Sequence, residues 1–298
     1  MKGKVIFENG EIFVIQRDFG YFVSINGKEE LEKECFDEAA RVLGEKTDLV
    51  YELDICGNFY KIYNDSFVYF KNLKRLRIPK SVIYIDSNAL STLNKIESFE
   101  VEEGNERYMS FKGDLYLLGF TSLIKYASGK GDKCFTVPSE VSYICDKAFC
   151  FSKNLEKIEI GENVVGVGKY CFLGCENLKE AVLDARISTL ERSLFEACVS
   201  LEKVKLGKYI KKISKYAFSK CVRLNEIELP EKLEIIDSNA FEDCVGLTKI
   251  DIPKGIEEIG YNAFLRCSGL NTVTVPRTIR SLGVYDYEEK STPEYRFK

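Results

Sequence analysis

Cysteine is the residue type in this sequence that is best able to do chemistry, and five of its copies recur at one spacing. The chain of 298 residues holds 11 cysteines, and these five stand 23 residues apart: Cys175, Cys198, Cys221, Cys244 and Cys267. Thiolates bind metal ions or form redox pairs where several converge, commonly in Cys-x-x-Cys motifs. No such motif occurs, and the nearest pair is Cys171 and Cys175. We therefore interpret the column as small buried side chains, at a position that Ser152 and Thr47 also occupy, rather than as a metal or redox site.

Other catalytic chemistry finds little support in the residue types. The sequence holds no histidine, which removes imidazole metal ligands, the usual general base and every nucleophile pair that depends on histidine. The segment Gly161–Gly166 is followed by Val167 and so lacks the lysine of a phosphate-binding loop. Glu226 and Glu228 would lie about 7 Å apart on one strand face, a separation that acid–base pairs use. A shallow surface leaves both in water, so a hydrolase is a remote alternative, and we predict no enzyme, no cofactor and no metal.

A period of 23 residues organises the chain that must position these side chains. Six phenylalanines follow one another at this spacing without a slip: Phe149, Phe172, Phe195, Phe218, Phe241 and Phe264. Aliphatic residues recur at fixed offsets, which around Phe241 are Leu233, Ile236, Leu247 and Ile252. The alternation of apolar and polar residues up to Ile252 is typical of a short strand. Such repetition predicts a solenoid, in which stacked coils place like side chains on like and their strands form a parallel sheet.

The period also divides the chain into parts. Residues 44–287 are predicted to form the solenoid, a mostly β arc with about ten parallel strands. Within it, residues 102–126 break the period, and two apolar runs around a glycine-containing turn predict an inserted hairpin. Residues 1–43 do not follow the repeat, and their short alternating runs and one helical spacing predict a small α+β cap. Residues 288–298 form a polar C-terminal tail that we expect to be frayed or folded over the last coil.

The most complete repeat, Leu233–Pro253, resembles a known family. Its sequence is LEIIDSNAFEDCVGLTKIDIP, which has the apolar spacing, Ala-Phe, Cys and final proline of the BspA-like, or treponemal-type, leucine-rich repeats. The inserted segment is similar to a variant coil of that family at Asn105, Tyr108 and Leu115. The resemblance covers residues 44–287 and implies a right-handed arc with a concave parallel sheet. It also implies protein binding, often by bacterial or protist surface proteins, and it brings no catalytic residues.

The outward side chains of the expected concave sheet form the candidate binding surface. Eight positions after each phenylalanine the charge alternates over five coils: Lys157, Glu180, Lys203, Glu226 and Lys249. Two positions further the residues do not alternate: Glu159, Val182, Lys205, Glu228 and Asp251. Nearer the N-terminus, Arg75 and Arg77 beside Lys74 are expected to carry uncompensated positive charge, with Glu100 as the nearest acid. We interpret the alternating row both as a ladder of lateral ion pairs and as part of a binding strip.

The inserted segment is the rival site. It holds five aromatic residues of types that anchor interfaces: Tyr108, Phe111, Tyr116, Phe120 and Tyr126. The resemblance implies that such aromatics pack the longer loop onto the sheet, so we place binding on the concave face.

Charge and cysteine use bear on the partner and the compartment. The net charge is −4, and the opposite signs of the alternating row cancel, so the surface has no positive field that would attract nucleic acids. We therefore expect a protein partner, whose identity stays open. No apolar run is long enough to insert into a membrane. The start of the chain lacks a secretory apolar run and the cysteine count is odd, which predicts a cytoplasmic protein with reduced thiols. The resemblance implies the cell surface or secretion instead, if the N-terminus is truncated.

The sequence thus predicts a non-catalytic protein-binding module, adhesin-like or scaffold-like, that uses the concave face of a leucine-rich solenoid. The alternative is a structural repeat protein that assembles with itself. The oligomeric state stays open.

Overall fold

The structure, a computed structural model, describes residues 3–283 and 292–298. The chain forms two compact units, Met1–Lys130 and Gly131–Lys298, both built mainly from β-strands. Within the described residues, no helix has the length and apolar character needed to cross a membrane.

The described residues of the first compact unit contain ten strands. They are Lys4–Glu8, Ile12–Arg17, Gly20–Leu31, Val50–Ile62, Arg75–Ile78, Tyr84–Ile85, Ser98–Val101, Tyr108–Phe111, Asp114–Leu117 and Ser122–Lys125. The first three pair in antiparallel fashion. From Gly20–Leu31 onward, parallel pairing links successive coils through Val50–Ile62 and Arg75–Ile78 to Ser98–Val101. The apolar faces of these strands pack into one buried cluster.

The N-terminal segment contains the strands and the helix that its pattern predicts, but the helix is short. The α-helix Asp37–Leu43 lies between the 3-10 helices Lys33–Phe36 and Gly44–Leu49. The helical spacing covers residues 29–43, yet the strand Gly20–Leu31 includes the first three of these residues. Backbone pairing with Val50–Ile62 along nearly the whole strand satisfies these peptide groups, and this outweighs the local helical pattern.

The inserted segment forms three antiparallel strands rather than one hairpin. Tyr108–Phe111 pairs with Asp114–Leu117 in addition to the expected pairing of Asp114–Leu117 with Ser122–Lys125. The extra turn is the dipeptide Lys112-Gly113, whose φ angles of 50° and 83° are both left-handed, as a two-residue hairpin turn requires.

Asn105 explains how the variant coil is held. Its buried side-chain amide donates to the carbonyl oxygens of Pro79 and Val82, both over 3.0 Å. Its side-chain oxygen accepts from the N–H groups of Arg107 and Tyr108 over 2.8 and 2.7 Å. One side chain therefore satisfies four backbone polar groups of this coil.

Two rows of parallel strands run through the second compact unit. The first row is Cys134–Thr136, Lys157–Ile160, Glu180–Leu183, Lys203–Leu206, Glu226–Ile227, Lys249–Ile250, Thr272–Val275 and Glu294–Phe297. The second row is Tyr143–Ile144, Gly166–Val167, Thr189–Leu190, Lys212–Ile213, Ile235–Ile236, Glu258–Ile259 and Ser281–Leu282. Paired residues lie 23 positions apart, as in Lys157 with Glu180, except in the last pair of the first row, where Thr272 pairs with Glu294 at 22 positions. Register therefore follows the repeat. The expected mostly β leucine-rich solenoid with parallel sheets is confirmed.

The phenylalanine column forms the centre of this core. The six rings at the 23-residue spacing are fully buried, and neighbouring rings stack with centroids 5.0 to 5.5 Å apart and interplanar angles of 10° to 22°. Each coil supplies one ring and each ring contacts both neighbours, so a coil's core is completed only by the next coil.

The third side of each coil is the turn around the phenylalanine, and its left-handed conformation was not predicted from the sequence. Two residues of each turn, two positions before and two positions after the phenylalanine, have left-handed φ angles of 55° to 67°. These residues are Lys147, Tyr170, Ser193, Tyr216, Asn239, Asn262, Phe151, Gly174, Ala197, Lys220, Asp243 and Arg266. The conformation lets backbone N–H groups point at the next coil: those of Tyr170, Phe172 and Gly174 donate to carbonyl oxygens there over 2.9 to 3.0 Å.

The C-terminal residues differ from the expected tail. Glu294–Phe297 is a strand that pairs in parallel with Thr272–Val275, because its register continues the first row by one more coil. Residues 284–291, which span the end of the predicted solenoid and the start of the predicted tail, lie outside the described residues.

Candidate protein-binding surface

The second compact unit displays the alternating row on one exposed surface, which we call the sheet face. It consists of the outward side chains of the first strand row at Lys157, Glu159, Glu180, Val182, Lys203, Lys205, Glu226, Glu228, Lys249 and Asp251. Parallel register places Lys157 beside Glu180 and Glu180 beside Lys203, as the spacing predicts. The first four residues are half-buried and the six from Lys203 onward are exposed.

Only part of the predicted ladder of lateral ion pairs forms. Lys157 contacts Glu180 over 3.1 Å, but it also contacts Glu159 on its own strand over 3.0 Å. Hydrogen bonding from Lys157 holds the pKa of Glu159 below its usual value. Lys249 likewise pairs along its own segment with Asp251 over 2.8 Å, which raises the pKa of Lys249.

The middle of the sheet face keeps unpaired charge. Within the described residues, Lys203, Glu226 and Glu228 have no ion-pair partner within 4.0 Å, and Lys205 reaches out of the sheet to Asp184 over 2.9 Å. Long flexible side chains choose between lateral, along-strand and loop partners that differ by well under about 1 kcal/mol, so alternation alone does not determine pairing.

Lateral pairing is strongest in a row that the sequence reasoning missed. Glu156 accepts from Lys133 over 2.8 Å and from Lys179 over 2.7 Å, each one period away. Hydrogen bonds from Lys133 and then Lys179 lower the pKa of Glu156 to about 2. The signal was present in the sequence, since these three residues also stand 23 positions apart, one place before the alternating row.

Arg75 and Arg77 lie in the first compact unit, and the expectation that they carry uncompensated charge is wrong. Arg75 donates to Glu52, which raises the pKa of Arg75, and Arg77 pairs with Asp54 over 3.5 Å. Both acids stand one period earlier in the strand that pairs with Arg75–Ile78. Lys74 is also compensated, by Glu97 over 2.8 Å.

The cysteine column consists of buried hydrogen-bond donors. Each of the five thiols donates to the carbonyl oxygen of the phenylalanine one coil earlier, with Sγ to O distances of 2.9 to 3.1 Å. All eleven cysteines lie among the described residues and are free thiols. Burial raises the pKa of Cys198 and Cys244 well above the usual value, which opposes thiolate formation. The described residues contain no cluster of three or more cysteine or acidic side chains that is placed to hold a metal ion.

The paired carboxylates have no environment for acid–base work. Glu226 and Glu228 are both exposed, and neither lines either of the two pockets described for this structure. A hydrolytic acid is typically buried, and both of these side chains are exposed.

The inserted segment keeps part of its aromatic surface exposed. Tyr108, Tyr116 and Tyr126 are buried, whereas Phe111 is 42% exposed. Phe111 meets Phe120 edge to face at 5.1 Å, and Phe120 stacks on Tyr116 at 4.4 Å. The cluster therefore packs mainly on itself, and it remains the rival site.

Known proteins share the repeat and the fold of this chain. Residues 45–112, 131–244 and 188–297 match the BspA type leucine rich repeat region, in six copies. A leucine-rich repeat protein from Eubacterium ventriosum is 20% identical with a TM-score of 0.57, over 97% of each chain. A leucine rich cell surface protein from Faecalibacterium prausnitzii is 25% identical with a TM-score of 0.60, over 67% of this chain and 52% of that one. A leucine-rich repeat protein from Bacteroides ovatus is 22% identical with a TM-score of 0.52, over 84% of this chain and 61% of that one.

The present chain thus spans nearly all of one similar structure and about half to three fifths of the other two. No curated protein matches the sequence. The solved structures share the fold, and the repeat region covers well over half of the residues. The chain belongs to the family of BspA-type leucine-rich repeat proteins.

Proposed function

We propose that this protein is a non-catalytic binding module that recognises another protein through the sheet face of its second compact unit. The observation that carries the proposal is the exposed, unpaired charge of Lys203, Glu226 and Glu228. Lys203 and Glu226 lie on strands whose register is held by the backbone, and Glu228 follows the strand of Glu226. The paired backbone is already ordered before binding, so only the side chains lose freedom, which favours recognition of a large partner.

The mixture of signs predicts the character of binding. Lys203 and Lys205 stand beside Glu226 and Glu228 in the next coil, so the net field of the sheet face is small. A partner with complementary charges gains specificity from this pattern, while long-range steering contributes little. We expect the affinity to fall only modestly as the salt concentration rises.

We also propose that the protein works in a reducing compartment. Eleven free thiols, most of them buried, are suited to a reducing compartment, which supports a cytoplasmic scaffold-like role. An adhesin-like role at a cell surface is the alternative, supported by family membership. Cell fractionation with an antibody against the chain distinguishes the two.

The test is capture of binding partners from a lysate of the source organism, using the immobilised full chain and two charge-reversed variants. One variant is Lys203→Glu with Lys205→Glu, on the sheet face. The matched control is Lys215→Glu with Lys220→Glu, which makes the same charge change with exposed lysines of the same coil on its turn side. Circular dichroism melting establishes that both variants are folded.

We expect one partner that binds the wild type and the control but not the sheet-face variant. A partner that survives the sheet-face reversal and is lost on changing Phe111→Ser with Phe120→Ser assigns binding to the inserted segment instead. If no partner is captured and light scattering gives a mass above that of one chain, the self-assembling alternative replaces the proposal.

A further inference from the structure

A pocket in the first compact unit contains the Arg75–Glu52 ion pair and lies apart from the sheet face. Its volume is about 300 Å³, and it is lined by Arg17, Asp18, Phe19, Gly20, Tyr21, Tyr51, Glu52 and Arg75. This volume is at the lower end for small-molecule sites and fits one or two side chains.

The turn that forms one wall is built for close approach. Gly20 has a φ of +151°, and a Cβ there would lie 2.4 Å from the carbonyl oxygen of Leu49 and 2.6 Å from the ring of Tyr51. Glycine therefore lets the Tyr51 ring lie directly against the turn. The same turn leaves Phe19 87% exposed, the largest exposed fraction among the big apolar side chains described.

Two arginines share one carboxylate at the base of the pocket. Arg17 and Arg75 donate to different oxygens of Glu52, whose acceptor sites are thus both engaged. Each guanidinium has five N–H donors, and within the described residues neither makes another hydrogen bond. The Arg17 guanidinium also lies over the Phe22 ring at 4.6 Å, which restrains its orientation.

We propose that this pocket binds an acidic side chain of a partner protein, with a neighbouring apolar residue of the same segment packed on Phe19. The ligand carboxylate would bridge Arg17 and Arg75 opposite Glu52, giving two guanidiniums and two carboxylates in alternation. Asp18 lines the pocket but pairs with neither arginine, so it repels such a ligand and tunes its affinity. The inference rests on the proposed function only in taking the occupant to be a protein segment.

The experiment is selection of a phage-displayed library of random nonapeptides on the immobilised full chain. The best peptide is then synthesised, and its binding to wild type and variants is measured by fluorescence polarisation. We expect it to combine Asp or Glu with an aliphatic or aromatic neighbour. Arg75→Gln and Phe19→Ser should each weaken binding by about tenfold or more, and Asp18→Asn should strengthen it by a few fold.

Arg77→Gln is the matched control, because Arg77 lies on the same strand, has the same 51% side-chain exposure as Arg75 and pairs with a different acid. It should change the affinity by less than about twofold. Failure to enrich any peptide, peptides without an acid, or equal loss on changing Arg75 and Arg77 overturns the proposal. Displacement of the peptide by millimolar acetate would assign the pocket to a small free acid and likewise overturn it.

These outcomes are separate from the test of the sheet face. A partner that still depends on Lys203 and Lys205 while no acidic peptide binds the pocket removes this inference and leaves the proposed function standing. If instead an acidic peptide needs Arg75 and Phe19 for binding, while the natural partner still binds the variant with Lys203→Glu and Lys205→Glu, the proposed function is removed and this inference stands.

Discussion

At the scale of single residues, equivalent core positions of the second compact unit make the same hydrogen bonds in successive coils. The phenylalanine carbonyl accepts two hydrogen bonds, as at Phe195, from the N–H of Cys198 within the turn and from the thiol of Cys221 one coil later. A cysteine is small enough to be fully buried there and still donates. In the first compact unit a hydroxyl has a similar role: the Oγ atom of Ser66 lies 2.7 Å from the carbonyl oxygens of both Leu31 and Tyr63, which share its one proton.

The stacked ring column makes a direct prediction for Phe241→Ala. The ring is fully buried between those of Phe218 and Phe264, so its removal leaves a cavity that the neighbouring coils cannot fill. We expect the free energy of unfolding to fall by about 3–5 kcal/mol, measured by urea denaturation. Phe297→Ala, at a ring that is 55% exposed, should cost less than about 1 kcal/mol. Equal effects of the two changes would remove Phe241 from the core.

The burial of the thiols predicts their reactivity. Cys134 is exposed, whereas Cys35, Cys56 and Cys145 are half-buried and burial raises the pKa of Cys145 to about 11. With Ellman's reagent at pH 8, one thiol of the native protein should react fast, and Cys134→Ser should abolish that phase. Unfolding without reductant should expose nearly all 11 thiols. A low count in the unfolded protein would indicate disulfides and an oxidising compartment.

At the scale of elements, the left-handed turn residues were hidden from the sequence because most are not glycine or asparagine. Lys220, with a φ of 62°, keeps this conformation because its N–H donates to the Glu242 carbonyl of the next coil over 2.7 Å. Lys220→Gly should relieve the steric cost and raise the free energy of unfolding by about 1 kcal/mol. Lys215→Gly, at an exposed lysine of the same turn without a positive φ, should lower it by about 0.5–1 kcal/mol. Thermal melts of both variants test this prediction, and destabilisation by Lys220→Gly would contradict it.

The pairing of Glu156 between two lysines predicts a dependence on pH. Because the pKa of this carboxyl falls from about 4.5 to about 2 on folding, the folded state is favoured above pH 4.5, and the advantage is lost as the pH falls towards 2. The melting temperature of wild type should exceed that of Glu156→Gln at pH 7, and the two should converge near pH 2.5. A difference that stays constant between these pH values would show that Glu156 acts through packing rather than charge.

The 23-residue period predicts the strand register and the core more completely than the ion pairing on the surface. Residues that stand 23 apart must be lateral neighbours, so the ring column, the register of Lys157 with Glu180 and the pairing strands follow from spacing alone. The same rule, applied to Glu52, would have shown that Arg75 is compensated. It does not decide which of two nearby acids a flexible lysine contacts, because those alternatives are nearly equal in energy. The short helix depended on the long-range pairing of Gly20–Leu31 with Val50–Ile62, which no local pattern contains. The extra turn at Lys112-Gly113 joins strands that are adjacent in sequence, and its glycine was a local signal for it.

At the scale of the whole molecule, the repeated backbone of this family holds surface side chains at regular positions. We propose that the identity of these side chains determines which partner binds. The described residues combine buried thiols, exposed and unpaired carboxylates and a surface of mixed charge. Domain limits at residues 43 and 287 remain predictions.

The most direct measurement is lysine acetylation of the chain alone and in complex with its captured partner, read out residue by residue with mass spectrometry. Our account predicts that Lys203 and Lys205 are protected in the complex, whereas Lys215 and Lys220, exposed on the turn side of the same coil, are modified equally in both samples. Protection of Lys215 and Lys220, with Lys203 and Lys205 unchanged, would contradict binding through the sheet face.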